Sequence, residues 1–214
     1  MSIKTVTKND KSVQHLINHD KRLAKVVMSI GDIEYHTHDD PYEFVVMQIV
    51  GQMLSNKVAA VLNERLLKLC NGKIDPNTVY KLSHDDLRVI GLSKAKCEYI
   101  SGFTCAVIEK KIDFDELTSM KNEDVVKQLT SFRGIGRWTA KMYLIFVLQR
   151  EDVLPIEDGA FLQGYKWLYK TEDVSPIAIT KKCKKWRPYS SIAARYLYRA
   201  VDSGLTKKEF HLYK

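Results

Sequence analysis

Apolar residues recur at intervals of three and four almost from end to end of the chain, the spacing of helices that bury one face, and helix-capping residues mark the ends of these runs. Asp40-Pro41 predicts an N-cap with proline in the first turn, followed by a broad buried face of Phe44, Val45, Val46, Ile49 and Val50 that Gly51 interrupts. A second helix is predicted from about Ser55 to Cys70, with Val58, Val61, Leu62 and Leu66 inward and Asn71-Gly72 as its stop. Ser83 or His84 opens a helix carrying Leu87 and Val89; Gly91 ends it, and Ser93 caps the next, in which Ile100, Phe103 and Val107 share a face. Asn122 is placed as the cap of a helix with Val125, Val126 and Leu129. After Gly134-Ile135-Gly136 comes a helix with Trp138, Met142 and Leu148, then a loop containing Pro155, a helix near Asp158 and another at Ser175-Pro176. The last runs from about Tyr189 to Val201, with Ile192, Tyr196 and Leu197 on one side and Gly204 as C-cap. Strand signals are nearly absent, so the expected fold class is all-α, with no internal repeat, low-complexity stretch or flexible linker.

Composition narrows the class. A chain of 214 residues that is 45% hydrophobic can bury one core or two small lobes. No apolar run approaches the roughly 20 residues needed to cross a bilayer, and the N-terminus carries neither a signal core nor a transit pattern, so no membrane partner and a cytosolic or nuclear place are expected. Cys70, Cys97, Cys105 and Cys183 are scattered at spacings that match no zinc or iron–sulfur motif and are read as reduced; His36 and His38, or His15 and His19, lack the further ligands a metal site requires. No metal or cofactor is expected. A net charge of +8 favours a polyanionic partner, although charge alone supports nucleic acid no better than a basic protein with no anionic ligand.

The chemically informative stretch is Leu129-Thr-Ser-Phe-Arg-Gly-Ile-Gly-Arg-Trp-Thr-Ala140, two helices joined by a hairpin built on Gly134 and Gly136. Without a Cβ the backbone can take positive φ and approach a phosphate, while the N–H groups opening the next helix point at the anion. A bare Gly-x-Gly serves equally as a tight packing turn. A dinucleotide fingerprint would follow a strand and carry a third glycine, whereas here a helix precedes and Thr139 stands in that place.

With this hairpin stand Ile49-Val-Gly-Gln-Met-Leu-Ser55, Leu87-Arg-Val-Ile-Gly-Leu-Ser93, Asp152-Val-Leu-Pro-Ile-Glu-Asp158 and Trp186-Arg-Pro-Tyr189. In their order and spacing the five segments resemble the helix-hairpin-helix DNA glycosylases, within them the 3-methyladenine DNA glycosylase II branch, and the resemblance covers most of residues 11–200. It implies a two-lobed helical fold with an active cleft between a central lobe, residues 42–155, and a second lobe built from residues 1–41 and 156–214. Some relatives carry a further N-terminal β-rich domain, for which no room is expected here.

The resemblance makes Asp158, 22 residues after Gly136, the catalytic carboxylate. Breaking an N-glycosidic bond builds positive charge on the sugar, which a fixed carboxylate stabilises; the bland reading is an N-cap for the helix at Gly159, and both can hold. Glu157 is adjacent and does not share its face. Where relatives that also nick the strand have a Schiff-base lysine at the hairpin, this chain has Trp138, which implies base removal without strand cleavage; Lys141, three residues on, points elsewhere. By the same resemblance Trp138 and Tyr198 line the pocket for a flipped base, their aromatic faces suited to an electron-poor alkylated purine, with ordinary core packing as the alternative for each. Met142 stands where close relatives have a pocket tyrosine. Met53, with Gln52 before it, occupies the place of the side chain inserted where the flipped nucleotide was; the other reading of Met53 is a buried core methionine. Arg133, Gly134, Ile135, Gly136, Arg137 and Thr139 form the expected DNA contact, while Lys181, Lys182, Lys184, Lys185 and Arg187 are a charge run open to either a DNA face or a solvated one.

The expected function is therefore that of a monomeric, monofunctional DNA glycosylase acting on duplex DNA with alkylated purines such as 3-methyladenine and 7-methylguanine. The alternatives are a glycosylase for an oxidised or deaminated base, and a protein that binds damaged DNA without cleaving a bond.

Overall fold

The computed structural model describes residues 2–211. Its elements in chain order are strand β1 (Ser2–Val6), helices α1 (Lys11–His19) and α2 (Lys21–Ile30), strand β2 (Ile33–Thr37), and helices α3 (Pro41–Gly51), α4 (Asn56–Leu69), α5 (Pro76–Tyr80), α6 (His84–Val89), α7 (Lys94–Ile108), α8 (Phe114–Ser119), α9 (Asn122–Thr130), α10 (Arg137–Phe146), α11 (Gly159–Tyr169), α12 (Pro176–Cys183) and α13 (Ser190–Asp202). The all-α expectation holds with one addition. β1 and β2 pair antiparallel with Val6 opposite Ile33 and Ser2 opposite Thr37. The cue is the alternation in Ile33-Glu34-Tyr35-His36-Thr37, whose buried ends flank exposed Glu34 and His36. A five-residue run is short enough to be lost among helical periodicities.

Caps carry out most of the predicted starts. Asp40 accepts from Glu43 N at 2.9 Å, Ser175 from Ala178 N at 3.3 Å, and Ser83 forms a capping box with Asp86. Asn122 is the first helical residue of α9, and the preceding Lys121 occupies the cap position without a side-chain bond. In α4 only Leu62 and Leu66 are buried, whereas Val58 and Val61 stand 46% and 42% exposed. Val61 lies about 100° round from Leu62, whereas Val58 shares the face of Leu62 and Leu66 one turn earlier and is exposed in the helix's first turn. Val89 is 86% exposed because a residue two places from buried Leu87 points to the other side of α6. α10 ends at Phe146, before Leu148.

The chain divides into two compact units. One comprises the described residues up to Thr37 with those from Leu144 onward; the other is His38–Tyr143. Residues 144–155, placed with the central lobe in the sequence reading, group with the terminal unit. The reason is a set of bonds to α13: Arg195 donates to Ile145 O at 2.8 Å, the Ser191 hydroxyl donates to Arg150 O at 2.6 Å, and Val153 N donates to Ser191 Oγ at 3.0 Å. The terminal unit buries Leu16, Leu23, Val27, Phe161, Leu168, Trp186, Tyr196 and Leu197 in one cluster. In the central unit Phe103 is an aromatic hub, stacked on Tyr42 at 5.9 Å and meeting Phe132 edge-on at 5.6 Å.

Candidate active site

The central unit contributes the hairpin. Gly134 has φ +89°, and a Cβ there would lie 2.3 Å from Cγ of Tyr99, so both its backbone conformation and its packing require glycine. Ile135 N donates to Phe132 O at 3.1 Å to close the turn, and Ile135 itself is buried. The Gly136 carbonyl then accepts from Ala140 N at 3.0 Å, so α10 begins directly after the turn with Gly136 and Arg137 exposed. The first amides of a helix have no intrahelical acceptor, and a helix N-terminus carries partial positive charge. Arg133 lies 5.6 Å over the Tyr99 ring and 3.6 Å from Glu98, at the flank of the turn.

Two residues that sequence reasoning missed, or cast differently, brace this corner. Gln52, grouped with Met53 as part of the inserted wedge, donates its side-chain amide to Gly134 O at 2.7 Å. Lys96 on α7 donates to Val50 O at 2.7 Å and Gln52 O at 2.9 Å, placing a cation on the C-terminal carbonyls of α3. No local pattern marks Lys96; its partners are more than forty residues away. Met53, by contrast, is fully exposed with φ +57°, which removes the buried-core reading. An extended apolar side chain held out on a left-handed residue is unusual unless it has something to meet.

Further along α10, Trp138 is half-buried, while Thr139 and Met142 are buried. Thr139, expected in the DNA contact, is therefore closed to solvent, in contrast to exposed Arg137.

The terminal unit holds Asp158. It is the N-cap of α11: its Oδ1 accepts from Phe161 N at 2.7 Å, its own amide donates to Pro155 O at 3.0 Å, and it is 9% exposed. The cap therefore fixes the side chain and sets it in the positive field of a helix N-terminus, which suits an anion. The loop leading to it is clamped from α13. Asp152 accepts from Ser190 Oγ at 2.5 Å and from Arg187 Nε at 2.8 Å, so Arg187 is committed to an ion pair within the protein. The segments 152–158 and 186–189, separate in sequence, thus form one structure. Tyr198, predicted as a pocket wall, is part-exposed, and burial of its hydroxyl together with the neighbouring Asp158 carboxylate pushes its pKa well above the ordinary phenol value. The phenol therefore stays protonated, and its buried oxygen makes no hydrogen bond among the described residues.

Lys181, Lys182, Lys184 and Lys185 line an open cavity of about 830 Å³ with Tyr165 and Thr171, and Lys185 also reaches Asp20 at 3.2 Å. All four cysteines are free thiols. No cluster of three or more potential metal ligands occurs among the described residues, and no helix there is long and apolar enough to cross a membrane.

The central unit thus presents a glycine hairpin that opens α10, and the terminal unit a buried carboxylate that caps α11. Residues 46–188 match the model of the HhH-GPD superfamily of base excision DNA repair proteins, and the chain belongs to that superfamily. It is 28% identical to DNA-3-methyladenine glycosylase 1 of Schizosaccharomyces pombe, over 92% of this chain and 88% of that protein. It is 30% identical to the alkylbase DNA glycosidase-like protein mag2 of the same yeast, over 87% and 91%. Among solved structures, a DNA-3-methyladenine glycosidase from Bacillus halodurans superposes with a TM-score of 0.87 at 32% identity, covering 98% of this chain and 97% of that one. The Schizosaccharomyces pombe 3-methyladenine DNA glycosylase in complex with abasic DNA gives 0.83 at 27% identity, covering 90% and 97%.

Proposed function

We propose that this protein is a monofunctional DNA glycosylase that excises alkylated purines, 3-methyladenine and 7-methylguanine among them, from duplex DNA and leaves an abasic site. The observation that carries the reading is Asp158: a carboxylate held by its cap to Phe161 N and buried. The names of the relatives, DNA-3-methyladenine glycosylases from yeast and bacteria, support the substrate class.

In this mechanism the damaged nucleotide leaves the stack and its base rests against Trp138, Met142 and Tyr198. The bond from C1′ to the base breaks, and the electron pair leaves with the base. An alkylated purine begins positively charged and departs neutral, so no strong general acid is required. Positive charge then grows on the sugar, and Asp158 stabilises it and orients the water that adds to C1′. Trp138 offers no amine at the hairpin, so no Schiff base forms and the strand stays intact. The Gly134–Thr139 corner with Arg133 and Arg137 holds backbone phosphates. Met53 fills the gap the base leaves.

The test is methylated duplex DNA incubated with wild type and Asp158→Asn. Wild type should release free methylpurine and leave alkali-sensitive abasic sites without spontaneous nicks, and the variant should be slower by a factor on the order of 100 or more. Release by the variant at the wild-type rate would sink the role given to Asp158.

A further inference from the structure

The terminal unit contains a buried cation that the chemistry above does not use. Arg195, on α13, is 5% exposed. Its guanidinium carbon lies 3.5 Å from the centre of the Tyr35 ring on β2 and 4.8 Å from that of Phe146. One terminal nitrogen donates to Ile145 O at 2.8 Å, and Nε is buried with no hydrogen-bond partner. No acidic side chain pairs with it among the described residues. Burial pushes its pKa down to about 10, so it remains a full cation at neutral pH. Two aromatic faces and one carbonyl replace only part of the lost hydration.

The column continues. Phe146 stacks on Tyr198 with centroids 6.4 Å apart and planes 24° from parallel. Tyr35, Arg195, Phe146 and Tyr198 therefore form one series, ending on the part-exposed ring whose hydroxyl lies beside Asp158. The charge reaches that end, since Arg195 opposes the upward shift of the Tyr198 phenol.

We propose that Arg195 is a specificity-determining residue that biases the pocket against bases already carrying positive charge and towards neutral damaged bases. This rests on the reading of Tyr198 as a pocket wall. When the glycosidic bond breaks, the electron pair goes to the base. A cationic base leaves neutral, and water gives its hydroxyl to C1′ and its proton to solution. A neutral base, such as the deaminated purine hypoxanthine, leaves with growing negative charge and takes up the proton that the water releases. A fixed cation behind Tyr198 repels the first kind as it binds and stabilises the second kind as it departs. Both effects shift selectivity the same way. At a separation on the order of 10 Å, with the screening of a partly buried site, a unit charge changes such a balance about tenfold.

Single-turnover excision is measured with enzyme in excess over DNA but below its Kd, so that the rate reports the transition state relative to free enzyme and DNA, on duplexes carrying one 7-methylguanine or one hypoxanthine, for wild type, R195M, R195Q and R195K. The ratio of the 7-methylguanine rate to the hypoxanthine rate should rise about tenfold in R195M and R195Q and stay within about twofold of wild type in R195K, which keeps the charge. Because both rates come from one preparation, any loss of folded protein cancels. An unchanged ratio in the two uncharged variants, or an equal rise in R195K, overturns the proposal; so does a wild type that releases 7-methylguanine but no hypoxanthine. Release of neither base by wild type instead overturns the glycosylase reading on which the proposal rests.

Discussion

The side-chain amide of Gln52 donates to the carbonyl of Gly134 at 2.7 Å, joining residues 82 positions apart. The turn after α3 thereby holds the hairpin, and Lys96 holds that turn through the Gln52 carbonyl. Gln52→Leu keeps the size of the side chain and removes the donor, while Lys96 still fixes the backbone. Loss of stability should be modest, about 1 kcal/mol. Affinity for an abasic duplex, read by fluorescence anisotropy, should fall more clearly, because the hairpin loses its brace. Wild-type affinity in this variant would separate Gln52 from the DNA contact.

Gly134→Ala meets two obstacles at once: a positive φ and the Tyr99 ring at 2.3 Å from the new Cβ. Urea denaturation should show a loss of about 2–4 kcal/mol. Adding Tyr99→Gly removes both the ring and the Tyr99 Cβ, itself 2.6 Å from the new Cβ, but leaves the φ, so the packing share of the loss should appear as the coupling energy of the double-mutant cycle and the φ share should remain.

Much of this was legible in the sequence, and the limits have physical causes. Caps are local, so Asp40, Ser83, Ser93 and Ser175 mark their helices directly. Asp158 was visible both as a cap and, through the resemblance, as the carboxylate, because the two roles share one side chain. The facing of α4 was not: Val58 and Val61 have the composition of a core, but their exposure depends on where the neighbouring helices lie. Lys96, Tyr99, Phe146 and Arg195 were missed for the same reason. Each matters through a partner distant in sequence, and no spacing rule links Arg195 to Tyr35 or Lys96 to Val50.

At Asp158 the cap and the proposed chemistry can be pulled apart. Asparagine retains an oxygen to accept from Phe161 N, so Asp158→Asn should unfold within about 0.5 kcal/mol of wild type, whereas Asp158→Ala should lose about 1 kcal/mol with the cap. Excision should fail in both. A variant series in which activity tracks thermal stability rather than the carboxylate would reduce Asp158 to its structural role.

Met53 makes an inverse prediction. Its left-handed φ of +57° is better suited to glycine, so Met53→Gly should be neutral or raise stability by a few tenths of a kcal/mol, on the order of what such positions return. The same change removes the projecting side chain. Excision from a fully paired duplex should fall about tenfold, and less from a lesion opposite a mismatch, where unstacking is already cheaper. Equal losses on both substrates would argue against a wedge.

Asp20 gives the pH dependence of the terminal unit. It is almost wholly buried, and burial alone would push its carboxyl up. Hydrogen bonds from Tyr169 and Trp186, with the Lys185 charge at 3.2 Å, outweigh that and hold it below its ordinary value of 3.8. A carboxylate depressed in the folded state binds fewer protons there than when unfolded. Its contribution is therefore complete above the unfolded value of 3.8 and is lost as pH falls through the lower, folded value. Both Asp20 oxygens accept, Oδ1 from the Arg22 and Leu23 amides and Oδ2 from Tyr169 and Trp186, so Asp20→Asn gives up the charge facing Lys185 and turns an NH2 toward donors on one side; at pH 7 it should cost about 1–3 kcal/mol. Urea melts of both proteins from pH 7 down to about 3 should show the gap constant to near pH 4 and closing below it, as Asp20 in the wild type takes up its proton. A gap that stays the same throughout would mean that packing around residue 20, and not its charge, holds α2 to Tyr169 and Trp186.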